Sequence, residues 1–278
     1  MAPPRYFIPS YLRDSPISLL NKRLTTSILL PTCWNPHDRA PYVSVLEDGV
    51  SLEYIGTQEY RPGRNWIDAS SIRTDFPVCP EVGLYYFEIK VIDKGERGCI
   101  GIGLTKGHIP LDRMPGWEHE SIGYHGDDGL LYLQSGRGDK YGPLYTTGDT
   151  VGCGINYYDK SIFFTKNGVN LGIIIFPREN FNCCIASKAI FEGEMYPISG
   201  MISPNERIEA NFGEKPFQYD INTYAKHVFA QAAANKTKEA KAKLSMQTSE
   251  VIETENGEHV EDNGQTINSE QSDGTGQS

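Results

Sequence analysis

Short apolar runs that alternate with polar residues constrain the fold of this chain most. From Trp34 they recur about every ten residues, bounded by Gly, Asn, Asp or Pro. In the run 85–91, a period of two places the four odd-numbered residues, all apolar, on one face of a strand and Glu88 and Lys90 on the other. One face must therefore be core. The pattern predicts an all-β fold, an antiparallel sandwich of two sheets.

Turn residues support this prediction. Asn167-Gly168 lies between two apolar runs and supplies the positive φ angles that a tight hairpin requires. Asp159-Lys160 is predicted to close the preceding hairpin. The Gly-x-Gly pairs at 101–103 and 152–154 interrupt strand-like runs, which indicates sheet curvature or close packing rather than a phosphate-binding loop.

The two ends of the chain differ from this body. Residues 1–30 contain scattered prolines and are interpreted as an extended N-terminal arm, and 31–219 as the folded domain. Residues 220–243 are rich in alanine and are predicted to form a helix capped by Asp220 or Asn222, with its first turns on the domain. Residues 244–278 are predicted to be a disordered acidic tail, because they bury too little apolar surface to offset chain entropy.

The net charge of −10 is located mainly in this tail. Eight of the 36 acidic residues and none of the 26 basic residues lie in 244–278, so the body is nearly neutral. Nucleic-acid binding needs clustered Lys and Arg, and we therefore expect no nucleic-acid partner.

Targeting signals are also missing from the sequence pattern. No apolar run is long enough for a signal peptide or for the roughly 18 residues of a membrane span, so no membrane partner is expected. The six cysteines form no CxxC pair and favour a reducing compartment. We expect a cytoplasmic protein, with the nucleus as a further location.

Patterns for catalysis are sparse. Glu192-Gly-Glu194 offers two carboxylates on one strand face, as a glucanase would need, whereas Asp127-Asp128 lie between glycines and are interpreted as turn residues. The six histidines show no metal-ligand spacing, and His125 is expected to make a structural hydrogen bond. We expect no enzyme, no cofactor, no metal and no small-molecule substrate. The alternative from another class is a sandwich that binds or cleaves glycans, and a third is a protein acting through its acidic tail.

Nine sequence blocks together resemble a known family. In chain order they are Cys33–Asp38, Gly83–Ile89, Ile100–Leu104, Met114–Glu118, Ser121–Gly129, Tyr141–Pro143, Gly148–Cys153, Phe164–Gly168 and Ala210–Gly213. Their order and content are similar to SPRY domains, most of all to the SPRY domain of the RanBPM family, over about residues 34–219. The resemblance implies a bent, concanavalin-like sandwich without catalysis, whose loops at one edge bind a short segment of a partner protein. It also suggests a link to substrate recruitment by a ubiquitin ligase.

Three loop regions carry partner binding in related domains. On this chain they correspond to 54–65, to 112–117 with Tyr124, and to 201–205. The candidate partner-binding residues implied by the resemblance are Tyr54, Gln58, Tyr60, Arg61, Arg64, Asn65, Met114, Trp117, Tyr124, Ile202 and Ser203. The first loop mixes aromatic, guanidinium and amide groups, which suit the backbone and acids of an extended peptide. Trp117 and Tyr124 can equally be core residues, since buried aromatic side chains dominate packing.

Overall fold

The computed structural model describes residues 7–13, 15, 28–57, 69–175 and 190–257. Its strands are β1 (Trp34–Arg39), β2 (Val43–Val45), β3 (Ser51–Tyr54), β4 (Ser70–Thr74), β5 (Leu84–Lys94), β6 (Gly101–Thr105), β7 (Ser121–His125), β8 (Leu130–Leu133), β9 (Asp139–Lys140), β10 (Thr150–Asn156), β11 (Ser161–Lys166), β12 (Val169–Ile175), β13 (Tyr196–Met201) and β14 (Glu206–Asn211). Two turns of 3-10 helix, Ser10–Leu12 and Pro80–Val82, and one α-helix, α1 (Ile221–Gly257), complete the described elements.

The strands form two seven-stranded antiparallel sheets, which confirms the predicted sandwich. The first sheet has the order β1-β4-β13-β6-β7-β8-β9, and the second has the order β12-β11-β10-β5-β14-β3-β2. The core between them contains the predicted face of β5, where Tyr85, Phe87, Ile89 and Val91 are all buried. The hairpin at Asn167-Gly168 is also confirmed, with positive φ angles at both turn residues and Lys166 paired to Val169.

The outer face of the second sheet is covered along the first half of β5, which the alternation of β5 did not indicate. Tyr86 and Glu88 on this face are buried. The Tyr11 hydroxyl of the N-terminal arm accepts a hydrogen bond from Tyr86 N at 2.8 Å, and Glu88 accepts bonds from the backbone N–H groups of Gln218 and Tyr219 at 2.9–3.0 Å. Segments distant in sequence thus bury both faces of the first half of β5, whereas Lys90 and residues 92–94 remain exposed.

The close packing predicted for the Gly-x-Gly pairs is confirmed at Gly152 and Gly154. A Cβ atom at position 152 would lie 2.0 Å from the Tyr86 hydroxyl, and one at position 154 would lie 2.3 Å from the Phe163 ring. Neither position tolerates a side chain without moving an aromatic ring.

The chain divides into two compact units, Met1–Phe229 and Ala230–Ser278. In the first unit, Asp220 caps α1 by accepting a hydrogen bond from Thr223 N at 3.1 Å, and Ile221 and Ala225 are buried. In the second unit, the helix continues beyond the predicted end at 243 as far as Gly257. Neither Pro nor Gly interrupts the sequence between Lys243 and Gly257, so no strong helix breaker marks an end at 243. The rest of the predicted tail, 258–278, lies outside the described residues.

Candidate functional site

Three loops meet at one end of the first sheet. Their described residues are 55–57 and 69 between β3 and β4, 111–115 between β6 and β7, and 202–205 between β13 and β14, and we call this set the loop rim. Ser70, where β4 begins, pairs with Met201, where β13 ends, so two of the loops leave the sheet side by side. Tyr42 joins them, because its N–H donates to Ser70 Oγ at 3.2 Å and its carbonyl accepts from Ile55 N at 2.8 Å.

The loop between β6 and β7 crosses the outer face of the first sheet to reach this rim. Ser71 holds it in place: its N–H donates to Leu111 O at 2.8 Å and its hydroxyl donates to Arg113 O at 2.6 Å. Glycines make the close approach possible. A Cβ atom at Gly123 would lie 2.2 Å from Pro115 O, and one at Gly200 would lie 2.7 Å from Pro115 Cδ.

A buried arginine fixes the start of the same loop. Arg73 makes a bidentate pair with Asp38, with N–O distances of 2.7 and 2.8 Å. Its remaining nitrogen donates to the carbonyls of Lys106 at 3.1 Å and Ile109 at 2.8 Å. A planar guanidinium satisfies all four acceptors at once and so positions the loop relative to β1 and β4.

His125 braces the end of the loop. Its Nε2 donates to Pro115 O at 2.9 Å, and its ring stacks on Tyr132 with 4.1 Å between centroids. Burial lowers the pKa of His125 and so favours the neutral ring. The predicted structural hydrogen bond of His125 is therefore present. Trp117 packs beside it at 6.2 Å, and the buried Trp117 Nε1–H has no acceptor among the described residues.

The loop between β13 and β14 is organised by the fully buried Glu206. Its carboxylate accepts hydrogen bonds from Ile202 N at 2.7 Å, Ser203 N at 2.9 Å and Ser203 Oγ at 2.6 Å. Burial raises the pKa of Glu206 to about 7, although these hydrogen bonds favour the ionised form. One side chain thus holds a whole loop of the rim in shape.

The structure distributes the predicted site residues unevenly. Tyr54, Met114, Tyr124 and Ser203 are buried, whereas Trp117 and Ile202 are half-buried. Five candidates lie outside the described residues, namely Gln58, Tyr60, Arg61, Arg64 and Asn65. The buried candidates lie beneath the rim or at its base. The side chains that the described rim exposes to solvent are therefore mainly those of other residues.

Tyr124 is the candidate farthest from a surface role. It projects from β7 into the core, packs on Tyr141, Tyr145 and Phe164 with 5.2–5.6 Å between centroids, and its hydroxyl donates to Pro143 O. Tyr124 is therefore a core residue, which the sequence analysis gave as the alternative to partner binding.

The predicted loop regions include two exposed residues of the rim that the list of candidate residues omits. Ile55 is 52% exposed, and the Arg113 side chain is 46% exposed beside Asp112 and Glu118. A signal for Ile55 existed: Leu52 and Tyr54 face the core, so a period of two turns Glu53 and Ile55 outward. For Arg113 the loop was predicted but its path across the sheet was not.

The acids considered for glycan chemistry lie away from the loop rim. Glu192 and Glu194 are both exposed and precede β13, at the end of the first sheet away from the rim. Lys106 Nζ donates to the backbone carbonyl of Glu192 at 3.0 Å. Within the described residues, this geometry gives the glycan alternative no support.

The two-sheet sandwich with loops gathered at one edge is the architecture of the SPRY class, and residues 84–215 match the SPRY domain family model. The chain carries a SPRY domain similar to those of Ran-binding proteins 9 and 10. It is 39% identical over 213 residues to the Drosophila melanogaster Ran-binding proteins 9/10 homolog, covering 76% of this chain and 20% of that protein. It is 38% identical over 195 residues to Homo sapiens Ran-binding protein 9, covering 70% of this chain and 24% of that protein.

A crystal structure of a human SPRY domain agrees with this assignment. It superimposes with a TM-score of 0.50 at 28% identity, covering 63% of this chain and 98% of the human domain. The SPRY domain supports a role as a protein-interaction module. The chain spans about a fifth to a third of the length of these curated relatives. Among the helices in the described ranges, none is both long and apolar enough to cross a bilayer.

Proposed function

We propose that this SPRY domain is a non-catalytic adaptor that binds a short, extended segment of a partner protein at the loop rim. The observation that carries the proposal is the convergence of three loops from different parts of the chain, with buried polar anchors beneath them. Ser71 and Arg73 hold one loop and Glu206 holds another. Pre-organised loops bind a flexible peptide without losing their own conformational freedom.

The described chemistry of the rim suits such a segment. Ile55 offers an exposed apolar contact, and Arg113 and Asp112 offer charges of both signs. The predicted contributors Tyr60, Arg61 and Arg64 follow Ile55 in sequence and lie outside the described residues. We propose that the buried candidates Tyr54, Met114, Tyr124 and Ser203 support these loops from below, whereas Trp117 and Ile202 contribute edges.

The N-terminal arm does not compete for this surface in its described part. Residues 7–13 pack on the outer face of the second sheet, where Tyr11 contacts Tyr86 and Phe217. Recruitment to a ubiquitin ligase, which the family resemblance implies, and a cytoplasmic or nuclear location are extensions of this proposal.

Selection from a library of natural peptides tests the proposal directly. A peptide buries less than a standard interface, so we expect selected peptides to bind with Kd on the order of micromolar. Replacing Tyr60, Arg61 and Arg64 together by Ala should weaken binding at least tenfold at an unchanged melting temperature. Replacing Arg137 and Lys160, which lie on turns at the other end of the sheets, should leave binding unchanged. Equal binding by the triple variant, or no selected peptide, would contradict the proposal.

A further inference from the structure

A fourth loop lies against the loop rim. It connects β5 to β6 over residues 95–100, and its backbone is fastened to the loop between β13 and β14. Glu96 N donates to Pro204 O at 3.2 Å, and Arg97 N donates to Ser203 Oγ at 3.0 Å. Because the rim loop supplies both acceptors, residues 96 and 97 lie at the same end of the sandwich as the rim.

Glycine at position 95 makes this close approach possible. Gly95 has a φ of +61°, and a Cβ atom there would lie 2.4 Å from Pro204 O and 2.6 Å from Glu206 N. Both of these neighbours are backbone atoms, which cannot rotate away. Ser203 Oγ in turn donates to the buried Glu206 carboxylate at 2.6 Å. The carboxylate that shapes the rim loop therefore also anchors the loop between β5 and β6.

Arg97 presents its guanidinium group to solvent from this fixed backbone. The residue is exposed, and its side chain makes no ion pair or hydrogen bond within the part of the chain that the structure describes. Arg113 at the rim differs, since its guanidinium lies 3.4 Å from Asp112 and 3.2 Å from Glu118. Among the described residues of the rim and of this fourth loop, Arg97 is thus the cation that remains available to a ligand.

We propose that the loop between β5 and β6 extends the binding surface and that Arg97 binds a carboxylate of the partner segment, from an Asp or Glu side chain. This inference rests on the segment binding proposed above and specifies its chemistry. A guanidinium donates two parallel hydrogen bonds to a carboxylate and is weakly hydrated, so it loses little solvation on contact. Glu96 is also exposed, but arginine is enriched and glutamate depleted at interfaces, which favours an acidic partner over a basic one.

Peptides selected against the full chain test this assignment. We expect them to share an acidic residue at one position. For such a peptide, Arg97→Ala should weaken binding at least fivefold, and exchanging the acidic residue for its amide should weaken it equally. The two changes together should cost no more than either alone, because they remove the same contact. Arg97→Glu should in turn prefer a peptide with Lys at that position.

Arg137→Ala is the matched control, since it removes an exposed arginine from a turn at the other end of the sheets and should bind like wild type. Melting temperatures should agree for all variants, because neither arginine side chain is buried. If replacing Tyr60, Arg61 and Arg64 abolishes binding but Arg97→Ala does not, the rim binds peptides and the assignment of Arg97 is wrong. Additive losses, or selected peptides that share a basic residue instead, would also overturn it. A selection that yields no peptide would contradict both proposals.

Discussion

Glu206 is a carboxylate placed where burial opposes its charge. Its pKa is raised to about 7 from an ordinary value of 4.5, mainly by desolvation. The folded state therefore favours the protonated form more than the unfolded state does. The resulting stabilisation is fully present below pH 4.5 and is lost as the pH rises through about 7.

We predict that wild-type protein loses on the order of 2 kcal/mol of unfolding free energy from this group between pH 5 and pH 8. Glu206→Gln mimics the protonated side chain and should remove this part of the pH dependence. Urea denaturation of both proteins at the two pH values measures the difference. Parallel pH dependence in the two proteins would show that Glu206 does not titrate in this range.

The loop between β6 and β7 depends on glycines in the strands beneath it. A Cβ atom at position 123 would lie 2.2 Å from Pro115 O, a backbone atom that cannot rotate away. We predict that Gly123→Ala displaces residues 111–117 and lowers the unfolding free energy by about 1–3 kcal/mol, as overpacking does. Hydrogen exchange of the Trp117 backbone amide measures the displacement of the loop, and chemical denaturation measures the loss of unfolding free energy.

Gly136→Ala is the matched control, because a Cβ atom there would have no neighbouring atom within 4 Å and the φ angle of Gly136 is not positive. It should change the unfolding free energy by less than about 0.5 kcal/mol. If both alanine variants behave alike, the loop does not rest on the sheet as described.

Local signals predicted the strands and turns well. Alternation in 85–91 and the Asn167-Gly168 turn depend on neighbours in sequence, and both were confirmed. The burial of Tyr86 and Glu88 depends on residues 11 and 217–219, which no local pattern connects to β5. The candidate site, too, could be predicted only in part from the sequence. The family resemblance indicated which loops form it, but only the packing of the folded chain decides that Tyr124 lies in the core while Ile55 is exposed.

The division into two compact units makes a prediction about truncation. α1 begins in the first unit, where Ile221 and Ala225 are buried and the Tyr224 ring lies 4.8 Å from that of Phe163. We predict that a chain ending at Phe229 melts within about 2 °C of the full chain, since it retains these contacts.

A chain ending at Tyr219 removes them and should lose at least about 2 kcal/mol of unfolding free energy, because it exposes buried apolar surface. Circular dichroism melting and urea denaturation compare the three lengths. Equal stability of the chains ending at 219 and 229 would mean that the first turns of α1 do not contribute to the domain.

Partner binding at the loop rim is tested most directly by mapping a selected peptide onto the domain with backbone amide chemical shifts. We predict that the largest changes cluster at Ile55, at 111–115 and at 202–205, and that they saturate at micromolar to submillimolar peptide. Changes concentrated instead on β12 or on α1, with the rim amides unmoved, would contradict binding at the rim.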